Sequence, residues 1–161
     1  MAWTSILICL KKETVVSFGK TVKEVMVRVS KYPHVANWCS ISQAINIAKL
    51  SFLDGNKYYV PNAILVMDER YGFLGILTLN DILEKIKEAK GSKDILETPV
   101  GEIISPPKIF IQPSDPVTRA AALMIENKLE LLPVFNERKE FVGLVRRMEI
   151  FDELLDVVLK K

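Results

Sequence analysis

The sequence contains one eight-residue pattern twice. Residues 75–82 read GILTLNDI, and residues 143–150 read GLVRRMEI. The preceding segments match at the same spacing, since residues 66–70 (VMDER) correspond to residues 134–138 (VFNER). A duplication constrains the whole fold, because each copy is expected to adopt the same local structure. We therefore predict two copies of one structural unit.

The repeat extends toward the N-terminus of each copy. Residues 22–26 (VKEVM) correspond to residues 100–104 (VGEII), and residues 41–44 (ISQA) correspond to residues 117–120 (VTRA). Each copy shows the same order of patterns: a short amphipathic turn, an extended segment, a helix, two strands joined by a polar turn, and a closing helix. This order predicts an α/β (α+β) protein built from two βαββα units.

The predicted domain boundaries follow from this alignment. We expect an N-terminal extension at residues 1–19, the first repeat at residues 20–89, a linker at residues 90–98 and the second repeat at residues 99–161. The first repeat carries an aromatic and polar insertion at residues 51–62. Because neither copy can bury its sheet alone, we expect the two copies to pack sheet to sheet.

The composition argues against several functional classes. The chain has 22 Lys and Arg against 20 Asp and Glu, with both signs mixed along the sequence, whereas a nucleic-acid-binding protein shows a basic face. Cys9 and Cys39 form no C-x-x-C pair, which suggests reduced thiols in a cytoplasmic protein. The apolar run at residues 6–10 is far shorter than the roughly 20 residues of a membrane span. We expect neither a nucleic-acid nor a membrane partner.

Catalytic chemistry has little support in the sequence. His34 is the single histidine and lies next to a proline. The two cysteines are too far apart in sequence to suggest a zinc site. The sequence also lacks the G-x-S-x-G nucleophile motif and the glycine-rich phosphate-binding loops. We expect no enzyme activity, no catalytic residues and no bound metal.

The duplicated unit resembles a tandem pair of CBS domains, the cystathionine-β-synthase-type regulatory modules. The resemblance covers residues 20–158 and is carried by residues 22–26, by residues 132–136 (LPVFN) and above all by residues 75–82. At this last place family members typically read G-h-h-[ST]-x-x-D, where h is apolar. The resemblance implies two clefts between packed sheets that bind AMP, ADP, ATP or S-adenosylmethionine. It also implies a homodimer.

The resemblance assigns roles to residues of the first copy. It implies that Asp81 binds the ribose hydroxyls and that Thr78 binds a phosphate or the ribose. Asn80, which lies between them in the motif, is also expected to contact the ligand. A carboxylate can accept from both hydroxyls at once, and a helix N-terminus attracts phosphate. Backbone groups beside Ala63 and Ile64 would contact the adenine edge. Thr78 and Asp81 also read as a capping box, and the two interpretations are compatible.

The second copy departs from the family pattern. Arg146 stands where the first copy has its hydroxyl, and Glu149 replaces the aspartate. This cleft, with Leu132 and Pro133 on its strand, is therefore either vacant or occupied by a different ligand. Arg146 or Arg147 could clamp a phosphate through two parallel bonds. The alternative is two solvated arginines at a helix start, where the helix dipole disfavours them.

These patterns together predict a stand-alone regulatory module. An adenosine-type ligand would favour one arrangement of the two repeats by population shift, and a protein partner not identified by the sequence would bind that arrangement. Such a module would respond to the energy state of the cell. The alternative is a scaffold of the same fold with empty clefts, used for dimerisation or docking, because a fold does not by itself establish a binding function.

Overall fold

The computed structural model describes residues 19–50, 63–90, 92–104 and 106–159, without the side chains of Leu50, Val157 and Val158. The helices are α1 Val22–Val25, α2 Ile41–Leu50, α3 Leu79–Glu88, α4 Val117–Glu126 and α5 Arg147–Leu159. The strands are β1 Val27–Arg28, β2 His34–Ala36, β3 Ala63–Met67, β4 Phe73–Thr78, β5 Leu131–Phe135 and β6 Phe141–Arg146. Short 3-10 helices cover Val29–Lys31, Lys93–Glu97 and Val100–Glu102. The predicted mixed α/β class is confirmed. Nearly all of the N-terminal extension and the whole of the insertion lie outside the described residues.

The chain divides into two compact units. The terminal unit consists of Met1–Ser30 together with Ile109–Lys161, and the central unit consists of Lys31–Lys108. Each unit has its own three-stranded sheet and its own apolar core.

The sheet of the terminal unit has the strand order β1-β6-β5, and both pairings are antiparallel. Gly143 on β6 lies opposite Arg28, and a side chain added there would clash with the carbonyl oxygen of Val27. The absence of a side chain at Gly143 thus lets β1 lie close to β6. Helices α4 and α5 pack against each other and carry much of the apolar core. The fully buried core residues of this unit include Val22, Ile111, Val117, Ala120, Met124, Leu132, Val134 and Val145.

The sheet of the central unit has the strand order β2-β3-β4. Strand β2 runs parallel to β3, and β3 runs antiparallel to β4. All five residues of β3 are buried, as expected for a central strand with apolar packing on both faces. The core residues of this unit are Val35, Ile41, Ala44, Ala48, Ile64, Val66, Leu77, Ile82 and Val100.

The two polar turns of the sequence repeat have the same conformation. Asp68 Oδ1 accepts hydrogen bonds from the backbone N–H groups two and four residues later, and Asn136 Oδ1 does the same in the second copy. The equivalent residues Tyr71 and Lys139 both adopt a left-handed backbone, with φ of 60° and 61°. The duplication read from the sequence therefore reappears as a duplicated local geometry.

The opening segment of each sequence repeat belongs to the compact unit formed mainly by the other repeat. Val22, in the opening helix of the first repeat, is fully buried in the core of the terminal unit. Val100, the equivalent residue of the second repeat, is fully buried in the core of the central unit. The repeat boundaries at residues 20–89 and 99–161 describe a duplication of sequence and remain a prediction, whereas the compact units follow packing.

Truncating Val22 to alanine is expected to destabilise the protein by roughly 2 kcal/mol, from lost transfer free energy and the cavity left behind. This is a large effect for a residue of a four-residue helix, and it arises because Val22 is fully buried in the apolar core of the terminal unit. Urea denaturation measures the change in the free energy of unfolding. The exposed neighbour Lys23 serves as the control, because alanine there should change stability by less than about 0.5 kcal/mol. Equal effects of the two variants would contradict the packing described for Val22.

Candidate functional site

Thr78 and Asp81 form a closed pair where β4 meets α3. Thr78 is the N-cap residue, and its hydroxyl accepts a hydrogen bond from the Asp81 backbone N–H at 3.1 Å. In return Asp81 Oδ2 accepts from the Thr78 backbone N–H and from the Thr78 hydroxyl, each at 2.7 Å. The capping box predicted from the sequence is confirmed. Both bonds to the carboxylate fall on one oxygen, and within the described residues Oδ1 has no hydrogen-bond donor.

The start of β3 lies beside this pair. Ala63 faces Thr78 across the antiparallel ladder, and Ile64 faces Leu77. Both Ala63 and Ile64 are buried, and Ile64 belongs to the apolar core. The structure therefore brings Ala63 next to Thr78, as a shared site requires, and leaves the contact of their backbone groups with an adenine edge as a prediction.

Asn80 is exposed and lies in the first turn of α3. Its side-chain amide donates to Glu84 Oε1 at 2.9 Å, one turn later in the same helix. Pairs of this spacing stabilise exposed helices. Asn80 thus has a local structural contact, and its predicted part in ligand binding remains a prediction.

The second copy builds the same junction with different side chains. Arg146 ends β6, and its backbone N–H donates to Glu149 Oε2 at 3.1 Å. The guanidinium of Arg146 binds the other oxygen, through Nε to Glu149 Oε1 at 2.6 Å and through Nη2 to the same atom. The two side chains are 21% and 19% exposed. Arg146 and Glu149 therefore form a partly buried ion pair that involves both carboxylate oxygens.

Arg147 is held by the turn that precedes β5. Its Nη1 lies 2.6 Å from Glu130 Oε1, and its Nη2 donates to the Leu129 carbonyl oxygen at 2.9 Å. Leu132 and Pro133 on β5 are buried, opposite Val145 and Leu144. Both arginines of this junction thus have carboxylate partners from their own unit.

Two helix faces that the sequence reading did not single out carry exposed apolar side chains. On α3 the exposed residues are Leu79, Leu83 and Ile86, and on α5 they are Met148, Phe151, Leu155 and Leu159. Each set lies along one side of its helix, given the spacing of three and four residues. The sequence did contain a signal for these faces, because apolar residues are adjacent in Ile82-Leu83 and in Ile150-Phe151, and adjacent residues of a helix lie on different faces. In each pair the first residue is buried and the second is exposed.

Other kinds of site are not evident in the described part of the chain. No group of three or more His, Cys, Asp or Glu residues there could hold a metal ion. His34 is exposed, with Nδ1 3.2 Å from the Tyr32 carbonyl oxygen. No helix among the described residues has the length and apolar character needed to cross a membrane.

The fold and its two strand-to-helix junctions define the class of protein. It is a duplicated α/β protein with a hydroxyl–carboxylate pair at one junction and an arginine–glutamate pair at the other. Residues 100–156 match the family model of the CBS domain. No curated protein matches the chain at the level of sequence.

Solved structures match over most of the chain. CBSX2 in complex with AMP is similar with a TM-score of 0.69 and 20% identity, covering 86% of this chain and 98% of that one. A CBS domain-containing protein of unknown function from Bacillus anthracis gives 0.68 and 23%, covering 86% and 94%. A CBS domain pair/ACT domain protein from Thermotoga maritima gives 0.61 and 21%, covering 85% and 98%. The chain thus has the fold of a tandem CBS-domain pair, with a CBS domain at residues 100–156, and the resemblance drawn from the sequence is confirmed.

Proposed function

We propose that this chain is a regulatory module that binds an adenosine-containing ligand at the junction of Thr78 and Asp81. The observation that carries the proposal is the state of the Asp81 carboxylate: its Oδ2 closes the helix cap, whereas Oδ1 has no donor among the described residues. A carboxylate oxygen offers more than one lone pair, so the cap leaves acceptor sites for the two hydroxyls of a ribose.

The beginning of α3 supplies the complementary chemistry for phosphate. The backbone N–H groups of Leu79 and Asn80 lie in the first turn, where a helix has no internal acceptors for them. They add to the positive end of the helix dipole. Thr78 adds a hydroxyl that can turn from Asp81 to a phosphate oxygen. The phosphates of AMP, ADP or ATP suit these groups, and the carboxylate of S-adenosylmethionine is an anion that the same N–H groups can bind. The AMP complex of CBSX2 supports an adenosine ligand.

The module acts by regulation rather than by catalysis. The ligand binds one arrangement of the two repeats more tightly and so increases its population, and a protein partner recognises that arrangement. The ligand is exchanged with the cytoplasm, the compartment that we expect for this protein, and no resident cofactor is needed. The described residues at the junction include a hydroxyl, a carboxylate and backbone amides, but no histidine or cysteine that would serve as a base or nucleophile.

The exposed apolar faces of α3 and α5 support a homodimer. Leu83 is 63% exposed and Phe151 is 48% exposed, which is costly for side chains of this size unless another surface covers them. A second copy of the chain offers matching apolar faces, and a two-fold axis lets such faces cover each other. The occupant of these faces is therefore a second copy.

Thermal unfolding with candidate ligands tests the proposed function. AMP, ADP, ATP and S-adenosylmethionine are each added to the purified chain, with GTP as the control. A ligand at 100 times its dissociation constant stabilises the folded state by about 2.7 kcal/mol, which raises the midpoint by several degrees. A rise with at least one adenosine ligand and none with GTP is expected. A flat response to all five would reject the proposal in favour of a scaffold with empty clefts.

The scaffold is the second candidate, and one observation favours it. Thr78 and Asp81 already satisfy each other through three hydrogen bonds, so the pair has a structural role without any ligand. In that case the apolar helix faces would carry the function, and the protein would dimerise or dock without responding to nucleotides.

A further inference from the structure

We infer that Arg146 closes the junction of the second copy to a ribose, so that each chain binds one adenosine ligand and not two. The inference rests on the proposed function, because it takes the carboxylate at the start of the closing helix as the group that binds the ribose hydroxyls. It identifies Arg146 as the residue that determines which copy binds the adenosine ligand.

The two junctions share one backbone arrangement. In the first copy the N–H of Thr78 donates to Asp81 Oδ2, and in the second the N–H of Arg146 donates to Glu149 Oε2. The carboxylate is therefore bound to the end of its strand in the same way in both copies. The junctions differ at three positions, and one of these is the side chain at the strand end.

That side chain decides whether the second carboxylate oxygen is available. The Thr78 hydroxyl donates to the same oxygen as the backbone does, which leaves Asp81 Oδ1. The Arg146 guanidinium instead donates twice to Glu149 Oε1, the oxygen that the backbone does not use. Glu149 consequently has a donor on each oxygen before any ligand arrives.

A ribose is a poor competitor for this carboxylate. Its hydroxyls are neutral donors, whereas the guanidinium makes charge-assisted hydrogen bonds, which are roughly twice as strong. The Arg146–Glu149 pair is also about four-fifths buried, and displacing Arg146 would break this ion pair in a partly desolvated place. Replacing the guanidinium of Arg146 by ribose hydroxyls at Glu149 is therefore unfavourable.

The residue on the facing strand also differs between the two junctions. Leu131 lies opposite Arg146 on β5, whereas Ala63 lies opposite Thr78 on β3. Leucine has the larger side chain of the two. Converting the second junction into the first therefore requires three changes: Arg146→Thr, Glu149→Asp and Leu131→Ala.

The ion pairs also argue against a phosphate clamp at this junction. Arg146 is paired with Glu149, and Arg147 is paired with Glu130 at 2.6 Å. A phosphate would have to compete with a carboxylate for each guanidinium. At the second junction, a carboxylate of the same unit thus already neutralises the charge of each arginine.

Isothermal titration of the full chain tests the inference by stoichiometry. AMP, ADP, ATP and S-adenosylmethionine are titrated separately into the wild type, into the triple variant, and into each of these carrying Asp81→Ala. The wild type is expected to bind one ligand per chain and the triple variant two, and the added site should survive Asp81→Ala. A matched control carries Arg147→Thr in place of Arg146→Thr, with the other two changes kept, and should gain no site.

The outcomes separate the inference from the proposed function. The role of Arg146 would be overturned if the wild type bound two ligands per chain. It would also be overturned if the triple variant gained no site while unfolding as cooperatively as the wild type. A site gained in the triple variant when the wild type binds nothing would support that role and reject the first copy as the natural site. Absence of binding in every protein would overturn both.

Discussion

Replacing Asp81 by alanine is expected to weaken the binding of the adenosine ligand by at least about 100-fold. The proposed site uses this carboxylate for both ribose hydroxyls, and each hydrogen bond to a charged group contributes roughly 1.5–3 kcal/mol. A 100-fold change in the dissociation constant corresponds to about 2.7 kcal/mol, so the loss of the two bonds is more than sufficient. Isothermal titration with the ligand identified by thermal unfolding measures the change directly.

The capping function of Asp81 requires a control, because the same substitution also removes the acceptor of the Thr78 backbone N–H. Loss of a helix cap costs about 1 kcal/mol of stability. Glu24 provides a matched case in the terminal unit, since its Oε2 accepts from the Thr21 backbone N–H at 2.7 Å and from the Thr21 hydroxyl at 3.1 Å. The hydrogen bond from the Thr21 backbone N–H has the largest effect on the pKa of Glu24, followed by the one from the Thr21 hydroxyl. Together they hold this pKa below its ordinary value.

Glu24→Ala should therefore lower stability as Asp81→Ala does but leave nucleotide affinity unchanged. If Asp81→Ala keeps the wild-type affinity, the carboxylate is only a cap and the scaffold becomes the better account. If both variants lose affinity equally, the effect reflects helix capping in general and not contact of Asp81 with the ligand.

The features that sequence reasoning predicted are those set by local chemistry. The capping box at Thr78 and Asp81 depends on residues three apart, and the hairpin turns at Asp68 and Asn136 depend on a side chain that binds its own backbone two and four residues later. Such interactions follow from spacing alone. The order of strands and helices in each copy also follows, because apolar periodicity is a local signal.

The features that sequence reasoning did not predict depend on contacts between distant segments of the chain. Nothing in residues 22–26 or 100–104 shows which copy's core will receive them, and the exchange of Val22 and Val100 is visible only in the packing. The Arg146–Glu149 pair is different, because its residues are close in sequence. There the sequence left two interpretations open, a phosphate clamp and solvated arginines, and only side-chain geometry shows that the carboxylate already binds the guanidinium.

Introducing lysine at both Leu83 and Phe151 is expected to convert the proposed homodimer into a monomer. Each residue lies within an exposed apolar helix face, and a lysine buried against an apolar partner surface would lose its hydration without gaining a counter-charge. We expect the dimer dissociation constant to rise by at least about 100-fold, because each copy then carries a charge on both of the apolar helix faces that the proposed dimer covers. Sedimentation velocity across a dilution series measures the change.

The control for this experiment changes charge on the same helices but outside the apolar faces. Glu84→Lys on α3 and Asp152→Lys on α5 replace exposed acidic residues, so the double variant alters the net charge more than the test variant does and should remain dimeric. A test variant that sediments as a dimer, or a wild type that is monomeric throughout, would contradict the assignment of these faces to a second copy. The effect on ligand binding separates two roles of the dimer: if the monomeric variant still binds the adenosine ligand, dimerisation serves to transmit the bound state and not to build the site.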